Sequence, residues 1–331
     1  MYIILAILSL SVLILCHEFG HFLLAKINGV KVEEFSLGMG PKIVGIKGKE
    51  TEYLIKAFPI GGYVKMLGDD EQTDDPRAMS NKSPLRRLSI VAAGPLMNII
   101  LAVVFVMIIA YGKGFIKPII SNVMSSSPAQ AANIQKGDVI VQANSKKIVL
   151  WEDFSLAVSN NNGSPIKLVV KRQDKEIPIT VTPTFDKDMN RYIIGIEGTQ
   201  VKNPTVSEAI VYGFQESKYI IRETLSAFKN IKASDVGGPV TIVKVSSEAA
   251  QSGIYNLMLI CAFISIQLAI FNIIPFPALD GGWIFMLLFE IITRKKIPEE
   301  KVAIINNVGF AILMLLMVVV IFKDIFYPIN F

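Results

Sequence analysis

Four long apolar runs divide the chain, at residues 2–25, 88–111, 254–274 and 302–322. Each is close to the roughly 20 residues that an α-helix needs to cross the hydrocarbon core of a bilayer. Polar and charged residues are concentrated in the segments between these runs. The pattern therefore predicts a polytopic α-helical membrane protein with four transmembrane helices.

The first run does not resemble a cleaved signal peptide. No Lys or Arg precedes Lys26, whereas a signal peptide begins with a basic segment. Bulky Leu15 precedes Cys16, where a lipoprotein signal would carry a small residue. We therefore expect this run to remain in the protein as its first transmembrane helix.

Lys and Arg residues are concentrated in two of the connecting segments. One is the segment 26–87, and the other is the short cluster of Arg294, Lys295 and Lys296. With four spans, both lie on the same side of the membrane, and the positive-inside rule makes that side cytoplasmic. We expect both termini, and the long segment between the second and third spans, to lie on the extracytoplasmic side.

The region 50–68 carries a β-strand pattern inside the first polar segment. Residues 51–66 read TEYLIKAFPIGGYVKM, with alternating and β-branched residues around Gly61 and Gly62. This predicts a membrane-associated β-hairpin, which can enter the membrane only where protein or a water-filled cavity satisfies its backbone. An ordinary β-turn packed against the spans is the alternative.

The segment 115–200 has a different character. Short β-rich runs such as IKLVVKR and IPITVTP alternate with turn signals such as NNNGSP, around one helical stretch, WEDFSLAVSN. This predicts one inserted β-rich domain of ordinary size. The following segment, 204–250, predicts an amphipathic helical linker that lies on the membrane surface or packs on the inserted domain. The membrane-embedded halves are then 1–112 and 251–331.

Composition supports a membrane protein and argues against other classes. Hydrophobic residues make up 52% of the 331, charged residues 18%, and the mean hydropathy is +0.49. The net charge of +5 comes without a basic block that has interleaved aromatics, so we expect no nucleic-acid partner. Cys16 and Cys261 each lie in an apolar run, which gives no sign of a disulfide framework.

The two histidines of the chain, His17 and His21, lie four residues apart in the sequence HEFGH. On a helix this spacing places both imidazoles on one face. They can then share one Zn²⁺, with Glu18 beside the water that the metal activates, as in the metalloprotease pattern H-E-x-x-H. Ionisable groups within a spanning helix are costly and usually mark function. The alternative, that the histidines only cap the span, leaves Glu18 unexplained.

A catalytic zinc needs a third protein ligand and an open position for water. Because there is no third histidine, this ligand must be Asp, Glu or Cys. Asp280 is the best candidate, since the sequence NIIPFPALDGG predicts a broken helix at membrane depth, where a protected polar site is required. Glu290 is a weaker rival near the basic cluster. Alternatively, Asp280 only caps the helix that begins near Trp283.

The motifs together resemble the site-2 protease family of intramembrane zinc metalloproteases. The resemblance rests on HEFGH in the first span, NIIPFPALDGG after the third, AAGPLMN (92–98) and PIGGYVKMLG (59–68). Residues 125–148 resemble the first half of a bacterial PDZ domain. The order of these segments is similar to that of the bacterial RseP-like branch, here with a single PDZ-like domain.

The resemblance implies roles for individual residues. His17, His21 and Asp280 would bind one zinc ion, and Glu18 would be the general base. Asn272 would contact the substrate backbone, although it could instead only hold the broken helix in place. The segment around Gly61, Gly62 and Tyr63 would hold an unwound substrate as an added strand.

The implied activity is cleavage of peptide bonds within or near the transmembrane segments of single-span membrane proteins. In the family these are typically anti-sigma factors already cut by an upstream site-1-type protease, or remnant signal peptides. The implied location is a bacterial cytoplasmic membrane, with the PDZ-like domain outside and the active site towards the cytoplasm. A single PDZ-like domain, where the best-known members carry two, and Trp283, where many relatives carry His, are departures from the family pattern.

Two other functions compete with this interpretation. A non-enzymatic membrane scaffold would use the PDZ-like domain to capture peptides, but such a protein should have lost Glu18 or a metal ligand. A prenyl-protein type of membrane metalloprotease would have a downstream Glu ligand and a motif outside the apolar core. The sequence LDGG and the inserted domain argue against that type.

Overall fold

The computed structural model describes residues 1–68, 73–229 and 237–327, which group into two compact units. The membrane unit is Met1–Val106 with Ile220–Phe331, and the inserted unit is Met107–Tyr219. Within the described residues the helices are α1 (Tyr2–Ile27), α2 (Pro84–Lys113), α3 (Pro128–Ala131), α4 (Trp151–Ser159), α5 (Val206–Ala227), α6 (Pro239–Gln251), α7 (Ile254–Ile273), α8 (Asp280–Thr293) and α9 (Glu299–Phe326). The strands are β1 (Val32–Lys47), β2 (Glu52–Met66), β3 (Phe115–Val123), β4 (Val139–Ala143), β5 (Lys146–Lys147), β6 (Ile166–Arg172), β7 (Lys175–Val181), β8 (Thr184–Asp186), β9 (Arg191–Ile193) and β10 (Ile196–Val201).

Helices α1, α2, α7 and α9 are long and apolar enough to cross a membrane. The prediction of four apolar helices is therefore confirmed: α1 and α7 end within two residues of the predicted spans, whereas α2 and α9 extend beyond theirs by two to four residues at each end. Large apolar side chains such as Leu8, Ile108 and Leu315 are exposed on these helices. In water this exposure would be unfavourable, whereas lipid tails solvate the same surface without cost.

Strands β1 and β2 form an antiparallel sheet in the membrane unit. The prediction placed a whole hairpin within residues 50–68, but β2 runs through that region and pairs with β1 upstream. Glycines and a proline interrupt the alternation of residues 32–47, which hid that strand in the sequence. Residues 34–37 pair with 52–55 on one side and with residues around 62–65 on the other, so among the strands of the described residues the end of β2 is the outermost on that side of the sheet.

Small apolar clusters among the described residues hold the membrane unit together, besides its exposed apolar surface. Ala25, Val32, Val64 and Ile90 join the end of α1 to the sheet and to α2. Leu13, Ala250, Leu257 and Cys261 join α1 to α6 and α7. These contacts fix the sheet and α2 against the half of α1 that carries HEFGH.

The inserted unit is built on an antiparallel sheet with the strand order β10-β3-β4-β6-β7, and β5 pairs with β4. Its core consists of fully buried aliphatic side chains such as Ile120, Ile140, Ile166 and Leu168, packed with Phe154 of α4. The β-rich character predicted for 115–200 follows from the alternation that puts these residues on one face. Of the predicted linker 204–250, residues 230–236 lie outside the described part of the chain.

An acidic cluster is buried in the inserted unit between α4 and α5. The Oε2 atoms of Glu216 and Glu152 have no hydrogen-bond partner among the described residues. The Tyr212 hydroxyl donates to Oε1 of Glu152 at 3.4 Å. Burial, together with the nearby Glu152 and Asp153, raises the pKa of Glu216 to about 8. The Glu216 carboxyl therefore largely keeps its proton at neutral pH in the folded protein.

Glu208 lies two turns earlier on α5 and has the opposite environment. Its carboxylate accepts hydrogen bonds from the backbone N–H and the hydroxyl of Thr205, and forms an ion pair with Lys117 at 3.0 Å. These interactions lower the pKa of Glu208 to about 2. One helix thus carries a proton-binding and an ionised glutamate at neutral pH.

Candidate metal centre and active site

Helix α1 presents the two imidazoles of HEFGH on one face, as the i, i+4 spacing requires. His17 Nε2 and His21 Nε2 lie 3.2 Å apart, and the two rings meet edge to face. His17 is buried, with 9% of its surface exposed. The predicted pair therefore exists as a compact, inward-facing unit.

Asp280 is brought to this pair by a break between two helices. Helix α7 ends at Ile273, and α8 begins at Asp280 itself, so the prediction of a broken helix agrees with the structure. Ala278 has a φ of +68°, which is uncommon for a residue with a side chain, and its N–H donates to Oδ1 of Asn306 on α9 at 3.3 Å. A backbone held in this way aims the first residue of α8 inward.

The three side chains converge on one point. Asp280 Oδ2 lies 3.1 Å from His17 Nε2 and 3.6 Å from His21 Nε2. Three ligands placed about 2.0–2.1 Å from a tetrahedral zinc ion lie roughly 3.3 Å from one another. The observed separations of 3.1, 3.2 and 3.6 Å match that value.

The chemistry of the donor set also fits a cation. Asp280 Oδ2 is buried and has no hydrogen-bond donor among the described residues. Two imidazole lone pairs facing a carboxylate oxygen would repel each other in a medium of low dielectric constant. A divalent cation removes this repulsion, and two His with one carboxylate is a donor set typical of catalytic zinc. His17, His21 and Asp280 also form the one group of this kind found in the described residues.

Helix α2 packs closely against the imidazoles of His17 and His21. His21 Nδ1 lies 2.9 Å from the backbone carbonyl oxygen of Ile90. At Gly94 a side chain would collide with both rings, since a Cβ atom built there would lie 2.8 Å from His17 Cε1 and still closer to His21. The absence of a side chain at Gly94 therefore allows α2 to approach the metal centre.

Glu18 lies beside the cluster, on the side of the β-sheet. A Cβ atom at Gly62 of β2 would lie 2.6 Å from Glu18 Cγ, so the strand passes directly over this side chain. A cavity of about 830 Å³ is lined by His17, Glu18, His21 and Asp280 together with Tyr63 and other residues of the membrane unit. Glu18, the predicted metal ligands and one end of strand β2 thus line the same cavity.

The other predicted site residues are placed unevenly. Gly62 and Tyr63 line the cavity, whereas Gly61 and Asn272 are absent from its lining in the described part of the chain. Glu290, the rival ligand, forms an ion pair with Arg87 of α2 at 3.2 Å and does not join the metal-binding group. That pair ties α8 to α2 at the wall of the same cavity.

Two residues that contact the histidines, Gly94 and Asn98, were not predicted as site residues from the sequence. Gly94 and Asn98 belong to AAGPLMN, a segment noted only for its family resemblance. Asn98 is fully buried, and one end of its amide lies 3.3 Å from His17 Nδ1. An amide inside an apolar span could have drawn attention to it, because polar groups at membrane depth usually mark function.

Comparison with known proteins settles the family. The model of peptidase family M50 matches residues 5–316. The chain belongs to peptidase family M50. Its resemblance to the site-2 proteases is thereby confirmed, and this M50 peptidase is a zinc metalloprotease and a bacterial membrane protein.

Relatives of this M50 peptidase cover nearly its whole length. A protein of Clostridium acetobutylicum, provisionally named a zinc metalloprotease, is 49% identical over 99% of this chain and 98% of its own. The regulator of sigma-W protease of Bacillus subtilis is 29% identical over 96% of this chain and 97% of its own. A PDZ domain from Listeria monocytogenes has a TM-score of 0.23 and 22% identity, and covers 26% of this chain and 90% of its own.

Proposed function

We propose that this M50 peptidase cleaves peptide bonds within or near the transmembrane segments of single-span membrane proteins. The observation that carries the proposal is the position of the metal cluster. Its ligands His17 and His21 lie on a helix apolar enough to span a membrane, and Asp280 follows directly after another such helix. A peptide bond that reaches this site must come from a segment at membrane depth.

His17, His21 and Asp280 would hold the zinc ion. When bound, zinc supplies Lewis-acid polarisation of the scissile carbonyl and makes water a nucleophile near neutral pH. Glu18, on the cavity side of the cluster, takes a proton from the attacking water and returns it to the leaving nitrogen. The cavity of about 830 Å³ has room for this water at a depth where lipid alone would exclude it.

The end of strand β2 would bind an unwound substrate segment by strand pairing. A transmembrane helix must unwind before its peptide bonds can be attacked, and the exposed backbone then needs hydrogen-bond partners. Residues 62–66 form an edge of the β1–β2 sheet, and Gly62, Tyr63, Val64 and Met66 line the cavity. An unwound segment would add to this edge as a strand next to Glu18. The end of α7 at Asn272 would contact the same segment.

The relatives suggest which substrates to test first. One of them is named a regulator of sigma-W protease, so anti-sigma factors are reasonable candidates, alongside remnant signal peptides. We propose that another protease first trims such substrates outside the membrane.

The positive-inside rule gives the proposed orientation of the chain. The basic segments would lie in the cytoplasm, and the inserted unit and both termini on the extracytoplasmic side.

The catalytic proposal is tested with purified protein and a single-span substrate. Glu18→Gln should lower the cleavage rate by about 10²–10⁴-fold, the usual range for loss of a general base, while zinc content stays at the wild-type level. Glu33→Gln on β1, outside the cavity lining, is the matched control and should cleave normally. Cleavage by Glu18→Gln at the wild-type rate would exclude Glu18 as the base.

The site of cleavage tests the membrane part of the proposal. Mass spectrometry of both products should place the cut inside the apolar span of the substrate or at its border. Cuts confined to the flanking soluble polypeptide would contradict it. Sidedness can be measured separately by labelling single cysteines introduced at Lys146 and Lys295, since only the first should react with an impermeant reagent added outside intact cells.

A further inference from the structure

The amide of Asn98 lies against the first metal ligand. Asn98 is fully buried on α2, with its Nδ2 atom 3.3 Å from His17 Nδ1, and its Oδ1 atom has no hydrogen-bond partner among the described residues. A half-turn of the amide exchanges Oδ1 and Nδ2 with almost no change in shape. The contact with His17 is therefore what decides which end of the amide faces the ring.

The orientation follows from what His17 must do at its other nitrogen. His17 Nε2 faces His21 Nε2 and Asp280 Oδ2, so this nitrogen needs a free lone pair to bind zinc. In a neutral imidazole the proton then lies on Nδ1, which becomes a donor. A donor at Nδ1 requires an acceptor opposite it, and on Asn98 the only side-chain acceptor is Oδ1.

His21 shows the same arrangement without ambiguity. Its Nδ1 lies 2.9 Å from the backbone carbonyl of Ile90, which can only accept. The His21 proton therefore lies on Nδ1, and its Nε2 lone pair points at the metal position. Helix α2 would thus orient both rings, one through a main-chain carbonyl and the other through a side-chain carbonyl.

The backbone of Asn98 is itself held in place. The Ser265 hydroxyl of α7 donates to the backbone carbonyl oxygen of Asn98 at 2.8 Å, and both residues are fully buried. Because α7 leads directly into the loop before Asp280, one helix positions both Asn98 and the third ligand. Such a fixed acceptor costs no reordering when the metal binds.

We propose that Asn98 is a positioning residue of the metal centre, and that its side-chain carbonyl accepts a hydrogen bond from His17 Nδ1. This bond fixes the His17 tautomer that leaves Nε2 free for zinc. The proposal rests on zinc ligation by His17 as proposed above. Outer partners of this kind typically change metal affinity or activity by about 10–100-fold when they are removed.

The test measures zinc affinity directly, by competition with a chromophoric chelator on the purified full-length protein. Asn98→Leu keeps the approximate size but removes the acceptor, and should weaken zinc binding about 10–100-fold. Asn98→Asp keeps an acceptor facing Nδ1 and should bind zinc within a few-fold of wild type. Asn98→Ala serves as a second loss variant if Asn98→Leu does not fold. Leu96→Ala changes an exposed residue of the same helix and should leave the affinity unchanged.

The visible absorption spectrum of the Co²⁺-substituted protein gives a second readout, which does not depend on catalytic activity. Its visible bands should shift in Asn98→Leu and stay close to wild type in Asn98→Asp. Wild-type zinc affinity in both Asn98→Leu and Asn98→Ala would overturn the proposal. Equal losses in Asn98→Asp and Asn98→Leu would also overturn it, because the amide would then act only through its own packing. A wild-type protein that binds no zinc would instead contradict the proposed zinc ligation by His17, His21 and Asp280.

Discussion

The membrane unit and the inserted unit each bury carboxylate oxygens that have no hydrogen-bond donor among the described residues, but the two environments neutralise the charge differently. In the membrane unit, Asp280 Oδ2 faces two imidazole nitrogens, and the three atoms have the spacing of zinc ligands. In the inserted unit, the buried carboxyls of Glu216 and Glu152 lie near other acidic side chains, and burial raises the pKa of both. The first cluster suits a metal ion, whereas the second suits protons.

The difference between the clusters lies in what surrounds the acids. Imidazole nitrogens in the required tautomer are metal ligands, and α2 supplies the Ile90 carbonyl oxygen, an acceptor that favours this tautomer in His21. Around Glu216 the neighbours are other acids and the Tyr212 hydroxyl, and among the described residues no metal-binding group lies there. Burial of an acid is therefore not enough to predict a metal centre, and the chemistry of its neighbours decides the outcome.

Metal removal should separate the two clusters most strongly. Stripping zinc with a chelator should abolish proteolysis and increase amide hydrogen exchange around His17 and Asp280, because the repulsion within the ligand set returns. Exchange in α4 and α5 should not change. Re-addition of Zn²⁺ should restore both activity and protection, whereas Mg²⁺ should not, since Mg²⁺ prefers oxygen ligands in an octahedral arrangement. Undiminished activity in the stripped protein would contradict this division.

Gly94→Ala should have the next largest effect. The new methyl group would collide with both imidazoles and displace them, for which about a 100-fold fall in activity is expected, together with weaker zinc binding. Alanine favours helices over glycine, so a loss cannot be attributed to helix propensity. Activity and zinc content are the two measurements, and wild-type values for both would show that α2 does not approach the rings as closely as the structure has it.

Gly62→Ala should affect catalysis while leaving the metal bound. The methyl group would meet Glu18 Cγ instead of a ligand, so we expect kcat to fall about tenfold or more at full zinc content. Comparing zinc content and kcat in Gly62→Ala and Gly94→Ala distinguishes an effect on Glu18 from an effect on the metal ligands. A loss of zinc in Gly62→Ala would mean that β2 also supports the metal centre.

The smallest effect is expected in the inserted unit. Because the pKa of Glu216 is raised to about 8 from an ordinary 4.5, the folded state holds a proton that the unfolded state releases between these values. Stability should therefore fall as the pH rises from about 4.5 to about 8. Glu216→Gln should remove this dependence and protect α5 relative to wild type at pH 8, but not at pH 4.5, as measured by hydrogen exchange at matched pH.

Glu208→Gln is the matched control on the same helix. The pKa of Glu208 is lowered to about 2, so its contribution is present above about pH 4.5 and lost as the pH falls towards 2. Glu208→Gln should therefore loosen α5 at pH 8, opposite to Glu216→Gln. Equal effects of the two variants at pH 8 would contradict the proposed protonation of Glu216.

Sequence patterns predicted the parts of this molecule that depend on local spacing. The four apolar helices follow from run length, and the histidine pair follows from the i, i+4 geometry of a helix. Asp280 could be proposed because two prolines and an acidic residue at membrane depth are hard to explain otherwise. These signals are carried by neighbouring residues, so they can be recognised without a tertiary structure.

The remaining features depend on contacts between distant segments. Strand β1 was missed because Gly38, Gly40 and Pro41 interrupt its alternation, and only pairing with β2 defines it. Glu216 looks like any charged residue of an amphipathic helix until α5 packs on α4. Asn98 gains its role only through the fold, since 81 residues separate it from His17.

Zinc binding by His17, His21 and Asp280 can be tested by metal analysis of the purified protein. We expect one zinc ion per chain in the wild type and in Glu290→Gln, and a large loss of zinc in Asp280→Ala. A wild-type protein without zinc, or an Asp280→Ala variant that keeps a full complement, would contradict zinc binding by these residues.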